Sequence, residues 1–575
     1  MIDENLIHEL FPHRTAGGGP SYRRHQFEVI RDALQALVDS DTDTVVIEAP
    51  TGSGKTDIAK TVALYMTHGF PALLHRARFL PKNAVDEAYA IMAPGQAHVI
   101  TSMKLLQDAY LKTRGLVSLI KGKGNYPCSK DPRDTLSLMG SSSGGLHDFS
   151  CHDADLFYGS AGCGAGKCSY QDAKDTARWT PIALHNFDSF LSQCTLGGAF
   201  PSPRALITLD EAHNIEDKIV SFASVDLMSP AFRFLGLPWT TPASDDARVV
   251  SAWVQVVSKS LDDRLVKLSQ DLSNERVSYQ ASHRPGAGAN LKHLADMVKK
   301  ATDIKQRIGR YVASNNGKSP MPWVAEIGSD SVRLEPVKAG RFVKEALLKW
   351  GHKRLLLSAT FLDGDKAFSR SVNLSTENTR HLSVPSTFPA DRRPLIRRYV
   401  GDMGFKGYEG NFEALSKAIS EIVDENRGVR GVVHCTSYQM SEALSAVLEK
   451  KRFVWHGKDD RVSVVNKFLS GGDAKDAVLV GVGLTEGYDF KDDLCRFQII
   501  IRLPYQYPSK RVKARSEIDP RFSDWRACLT LVQTYGRGMR SAEDSCRTYI
   551  LDSRFNRFLS ANKKQLPAWF QEAIK

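Results

Sequence analysis

Residues 44–56 read TVVIEAPTGSGKT, and no other stretch restricts the fold of this chain so tightly. The β-branched run TVVIEA (44–49) predicts a short buried strand that ends directly in a glycine-rich turn. Gly52 and Gly54 free the backbone to curl into a loop whose N–H groups point inward at phosphate oxygens, with Thr51 and Ser53 completing the cradle. In such a loop Lys55 reaches the β- and γ-phosphates and the Thr56 hydroxyl ligates Mg²⁺. The run DIAKTVALYM that follows predicts a helix with its positive end at the same anion. Strand, glycine turn and helix in that order open a parallel α/β domain that takes ATP with Mg²⁺.

Two further motifs belong to the same chemistry. In LITLDEAH (206–213) a buried strand delivers Asp210 to its C-terminal end, where ligands bind in open α/β sheets. Asp210 is the second Mg²⁺ ligand, and Glu211 is placed to orient and deprotonate an attacking water. In QTYGRGMR (533–540) Arg537 and Arg540 supply guanidinium groups to clamp the negative charge that phosphoryl transfer builds, and Gln533 joins them in the catalytic set. Arg537 and Arg540 reaching across a cleft calls for a second α/β domain, and hydrolysis would open and close that cleft.

With 575 residues the chain exceeds a single core, so three or four domains are expected. Strand-like runs HVIT (98–101) and RALITLD (204–210) continue the first domain, after a helix predicted over 22–36. KRLLLSAT (353–360), GVVHCTS (431–437), DAVLVGVG (476–483), RFQIIIRLP (496–504) and RTYILD (547–552) mark the return of the α/β pattern. Between them, 120–180 is rich in Gly, Ser and Cys and poor in apolar repeats, while 225–345 is amphipathic and mostly helical.

Four of the nine cysteines fall in that first insert: Cys128, Cys151, Cys163 and Cys168, separated by 22, 11 and 4 residues. On spacing, a [4Fe–4S] cluster and a structural zinc are both open. A metal of some kind is called for, because so small and polar a segment cannot bury enough surface to hold itself together. The remaining cysteines, 194, 435, 495, 528 and 546, read as buried small hydrophobes, and His152 and His185 as structural histidines.

These motifs in this order, with SAT at 358–360, resemble superfamily 2 helicases, and the inserts resemble those of the XPD and DinG helicases. GKGNYPC (122–128) is similar to the entry of their iron–sulfur insert and 167–191 to its exit; HVITSMKLLQD (98–108) resembles their motif Ia. PSTFPADRRPL (385–395) is similar to their interdomain linker, TEGYDF (485–490) to their motif V and LDSR (551–554) to their closing motif. The resemblance implies ATP-dependent 5′→3′ movement on single-stranded DNA, and a [4Fe–4S] cluster on the four cysteines. It also implies an adenine-reading role for Gln26, coupling of ATP state to the other domain by His213, and coupling of nucleotide state to DNA grip by Glu486, Gly487 and Asp489. Thr485 stands where the family has Trp, and the 66–97 spacer is long for it.

The expected architecture is α/β, two RecA-like P-loop motor domains, the first interrupted by an iron–sulfur insert and a helical Arch-like insert. Its boundaries are motor domain 1 over 1–110, 184–224 and 346–380, the cluster insert over 111–183, the Arch-like insert over 225–345 and motor domain 2 over 381–575.

A net charge of +12 fits a polyanionic partner as well as plain solubility. The expected partners are single-stranded and forked or tailed duplex DNA, gripped by Lys121, Lys123, Arg392, Arg393, Arg397, Arg398 and the run SKRVKAR (509–515) with Tyr505 and Tyr507. An acid-bearing start and the lack of a long apolar run point to a cytoplasmic protein outside any membrane, and a monomer is expected. Two alternatives stay open, a DEAH-type RNA helicase and a non-motor nucleic-acid scaffold with structural zinc.

Overall fold

The computed structural model describes residues 2–575 apart from 78–79, 81–83, 102–106, 108–109, 112–115, 123–124, 127–167, 197–199, 283–286, 316–320, 387, 405–406, 449–450, 485–487, 489, 491 and 540–543. Strands are numbered in chain order. They are β1 (Thr44–Glu48), β2 (Ala97–Ile100), β3 (Val117–Leu119), β4 (Ile182–His185), β5 (Arg204–Leu209), β6 (Val225–Met228), β7 (Trp323–Ile327) and β8 (Ser331–Pro336). The rest are β9 (Gly351–Ser358), β10 (Thr379–Ser383), β11 (Leu395–Gly401), β12 (Gly431–Cys435), β13 (Phe453–Trp455), β14 (Val478–Val482), β15 (Phe497–Ile500) and β16 (Arg547–Asp552).

Among the described residues, seven strands form a parallel sheet in the order β10-β1-β9-β5-β2-β4-β3, and six form a second in the order β11-β16-β15-β12-β14-β13. The two sheets are those of two RecA-like domains. Parallel strands need cover on both faces, which explains their near-continuous apolar runs. Val45 and Ile47 of β1 pack with helices Gln26–Val38 and Lys55–Met66, while Val46 faces a core shared with the second motor domain through Trp525 and Phe361.

Domain edges differ from the sequence expectation in three places. Val117–Leu119 pairs with β4, so the chain leaves motor domain 1 only after β3 and not at residue 111. β10 pairs with β1, which carries that domain to Ser383 instead of residue 380. The segment expected to be helical holds long helices Ala247–Ser282 and Ala287–Asn315, but also an antiparallel sheet in the order β6-β8-β7. Those strands are only four to six residues long, and the two long helices between β6 and β7 dominate the periodicity of the segment.

The helix that leaves the cysteine-rich insert, Ser169–Trp179, is stapled to motor domain 1. Gln96 donates to Arg178 O and Thr180 O (2.7 and 2.8 Å), and the buried Arg204 donates to Ala177 O (2.7 Å). His185 and His98 lie 3.3 Å apart in the same core, and burial holds both well below the usual histidine pKa, as neutral structural groups. Among the described residues no helix is long and apolar enough to cross a membrane.

Candidate functional site

The phosphate loop grows from the C-terminal end of β1. Gly52 (φ +83°) and Gly54 (φ +79°) take the left-handed backbone conformation that favours glycine. At Gly54 there is a second reason: a Cβ would stand 2.3 Å from the Gln26 side-chain amide. Gln26 is buried beneath the loop, accepting from Arg23 N–H (2.9 Å) and donating to Gly54 O (3.2 Å), while the Arg23 guanidinium donates to Gly52 O. Lys55 and Thr56 open the helix Lys55–Met66, and Lys55 Nζ donates to Ala49 O (3.2 Å). The buried Ser53 hydroxyl has no partner among the described residues, as expected of a cradle built for an anion.

Asp210 and Glu211 follow β5, two strands along from β1 across β9. Asp210 is buried, and desolvation together with the Glu211 charge pushes its carboxyl up to about 7, against the pull of Lys55. A carboxylate so placed is stabilised by a cation, and Mg²⁺ fits it. Glu211 adopts φ +54°, a strained left-handed conformation for this residue type. His213 is buried, its Nδ1 2.7 Å from Ser358 Oγ and 3.4 Å from Glu211 Oε2. Burial lowers its pKa to about 4, with Arg526 and Arg537 adding to the effect, so the ring is neutral at physiological pH. Ser358 in turn bonds Thr360 (3.0 and 3.2 Å), which ties the DEAH motif to the SAT segment.

The second motor domain closes over this surface. Its helix Phe522–Tyr535 and the turn after it bring Gln533, Gly536 and Arg537 to a narrow cleft shared with Thr51, Glu211, Ala359 and Thr360. The approach is close: a Cβ at Gly536 would lie 3.4 Å from Thr51 Oγ1. Arg537 donates to Tyr488 O (3.2 Å), which holds the QTYGRGMR segment against TEGYDF. Gln533 Nε2 and Thr360 Oγ1 are buried polar atoms without hydrogen-bond partners among the described residues, and both residues line the cleft. Beneath the helix end, Gln498 donates to Tyr535 O and Thr548 Oγ1 (2.9 Å each) and accepts from His434 (3.1 Å). Sequence reading missed this support, because Gln498 looks like any polar residue inside a strand.

The structure thus gathers Thr51, Gly52, Ser53, Gly54, Lys55, Thr56, Gln26, Asp210, Glu211, Gln533 and Arg537 around one interdomain region. Arg540 and Asp489 lie outside the described residues, as do Glu486, Gly487, Lys123, His152 and three of the four cysteines, Cys128, Cys151 and Cys163. Cys168 is described, half-buried at the start of helix Ser169–Trp179. Among the described residues no group of three or more His, Cys, Asp or Glu is set to hold a metal ion.

The expected DNA track needs correction. Arg393, Arg511 and Arg515 are buried rather than exposed. Arg393 pairs with Glu572 (2.5 Å), and Arg511 and Arg515 lie 2.7 and 3.7 Å from the buried Glu216 of motor domain 1. Arg398 is held by Glu421 and Glu425, and Arg397 donates to Lys575 O. Guanidinium groups spent on internal partners make poor phosphate contacts. Lys121, Arg392, Arg397, Lys510 and Lys513 stay exposed, and Tyr507 is 83% exposed.

A P-loop, an acidic strand end and an arginine-bearing helix meet between two RecA-like sheets, the layout of a nucleotide site set between two domains. Residues 419–573 match the helicase C-terminal domain family. The chain is 31% identical over 116 residues to ATP-dependent DNA helicase CHL1 of Saccharomyces cerevisiae (strain YJM789), a stretch covering 17% of this chain and only 13% of that one. In fold it is similar to a solved XPD helicase (TM-score 0.58, 15% identity, 95% of this chain and 98% of that one) and to S. tokodaii Xpd4 (TM-score 0.52, 15% identity, 96% and 99%). The chain is thus similar in fold to XPD helicase structures, and its residues 419–573 match the helicase C-terminal domain family.

Proposed function

We propose that this chain is an ATP-driven DNA helicase that moves 5′→3′ along single-stranded DNA and unwinds forked or tailed duplex. The observation that carries the reading is the cleft in which Thr51, Glu211 and Thr360 of one motor domain face Gln533 and Arg537 of the other. The loop N–H groups and Lys55 would bind the triphosphate, and Gln26 would read the adenine. Mg²⁺, held by Thr56 and Asp210, supplies charge neutralisation at the phosphates when bound. Glu211 would orient the attacking water and take its proton. Arg537 and Arg540 would meet the charge that develops on the transferred phosphoryl group. Because these groups sit on separate domains, the cleft is complete only when closed, and loss of the γ-phosphate removes what holds it shut.

We assign Cys128, Cys151, Cys163 and Cys168 to a [4Fe–4S] cluster at the point of strand separation, supported by the four cysteines and the helix staple behind Cys168. The protein would work as an intracellular monomer. The test is strand displacement, by anaerobically purified protein, of duplexes bearing a 5′ or a 3′ single-stranded tail, with Lys55→Ala as control. Unwinding of the 5′-tailed duplex alone, lost in the control, is the expected result. Unwinding from a 3′ tail overturns the polarity, and hydrolysis stimulated by RNA but not DNA overturns the substrate.

A further inference from the structure

We infer that Glu48 and Trp525 are positioning residues for ATP hydrolysis, gripping opposite sides of the Phe361 backbone so that the arginine-bearing helix keeps its distance from the phosphate loop. The inference rests on the motor reading above.

Glu48 is the last residue of β1, one position before the loop begins. Its Oε2 accepts the N–H of Phe361 (2.7 Å) and of Leu362 (3.0 Å). Two consecutive N–H groups converge on one oxygen as Leu362 takes φ +51°, a left-handed conformation that an ordinary residue holds only where its surroundings impose it. From the other side, Trp525 Nε1–H donates to Phe361 O (2.9 Å). Trp525 is fully buried on helix Phe522–Tyr535, the helix that carries Gln533 and ends at Gly536 and Arg537. Phe361 is therefore tied to motor domain 1 by its N–H and to motor domain 2 by its carbonyl.

The segment so held matters to the cleft. Ala359 and Thr360, immediately before Phe361, line it. They are fixed at their other end too, where Ala49 N–H donates to Ser358 O (2.9 Å) and Ser358 Oγ meets His213. Neither Glu48 nor Trp525 lines the cleft, so each acts through the Phe361 backbone and not on the nucleotide. The Glu48 contact needs one acceptor oxygen. Burial raises its carboxyl pKa, so the surroundings do not favour its charge, and an amide oxygen serves as well.

The experiment is DNA-stimulated ATP hydrolysis by the full chain, with kcat expressed per active site after counting sites by stoichiometric binding of a non-hydrolysable ATP analogue. Trp525→Phe keeps a ring and loses the N–H; Glu48→Ala loses the acceptor; Glu48→Gln keeps it without charge. The expected result is a fall in kcat of about tenfold for Trp525→Phe and Glu48→Ala, the scale of one hydrogen bond, with KM for ATP unchanged. Glu48→Gln should match the unaltered chain. A Trp525→Phe protein with full kcat overturns the inference, and so does a Glu48→Gln protein that loses activity. Should Glu48→Ala fail to fold, those two variants decide. An unaltered chain that hydrolyses no more ATP than Lys55→Ala overturns the motor reading itself, whereas a hydrolysing chain indifferent to Trp525→Phe overturns this inference alone.

Discussion

Along one flank of the interface between the motor domains, the buried Glu216 holds Arg511 and Arg515, and Asp217 holds Arg526. Across the cleft a short distance away, Gln533 Nε2 and Thr360 Oγ1 have no hydrogen-bond partners among the described residues. Both places set polar groups of one domain against the other, yet the first pairs opposite charges across the interface and the second sets neutral groups into an open cleft. A flank of paired buried charges resists separation, since parting it leaves ions in a poor solvent. A cleft of unsatisfied groups gains from whatever enters it. The difference teaches that the domains have a fixed side and a working side, with the helix that follows the DEAH motif (Ile215–Ala223) forming the fixed one.

The contrast can be broken most directly at the working side. Arg537→Ala should lower kcat for ATP hydrolysis by about 10³–10⁵-fold, as loss of an arginine finger does, while the thermal midpoint stays put. A small loss of activity would move the catalytic charge elsewhere. On the fixed side, Glu216→Ala should destabilise the fold by about 3–5 kcal/mol in denaturant unfolding, by stranding two buried guanidinium groups. It should leave kcat per folded molecule far less affected than Arg537→Ala does.

The two sides should also differ in their response to pH. Asp210 has its pKa raised on folding to about 7, so the folded state binds the extra proton across the interval from about pH 4 to 7. Its unfavourable contribution therefore grows as pH rises through that interval. Asp210→Asn should melt higher than the unaltered, nucleotide-free protein at pH 8, with the gain shrinking toward pH 4. The smallest effect belongs to Lys510, whose pair with Asp245 (2.6 Å) is half exposed. Lys510→Ala should leave the unfolding midpoint almost unchanged, because solvent screens so exposed a pair. Arg511→Ala beside it should destabilise strongly without flattening the salt dependence of DNA binding.

What the sequence made legible was local. The P-loop, the Asp210–Glu211 strand end and the Gln533–Arg537 helix each announce themselves by residue type and short spacing, the strands β1, β5, β14, β15 and β16 by β-branched runs and β9 by its three leucines. Their convergence on one cleft followed from the rule that ligands gather at strand ends. Partners far apart in sequence were illegible. Nothing in SKRVKAR says that Arg511 will meet a carboxylate 295 residues away and be lost to DNA. Trp525 likewise reads as one more apolar helix residue until Phe361 is seen beside it. Backbone partners leave no trace in side-chain pattern, and β6, β7 and β8 were hidden for a related reason, since short strands borrow their order from neighbours.

The strand that carries the phosphate loop has β9 and β10 as its two neighbours in the sheet, and both come roughly 300 residues later in the chain. During synthesis β1 therefore leaves the ribosome with no strand to pair with, and it stays exposed until the intervening inserts have been made. Any fragment ending before Gly351 lacks both neighbours and should fail to present a folded nucleotide loop. The first motor domain therefore gains its central strand order only once residue 383 has been made, shortly before the strands of the second domain emerge.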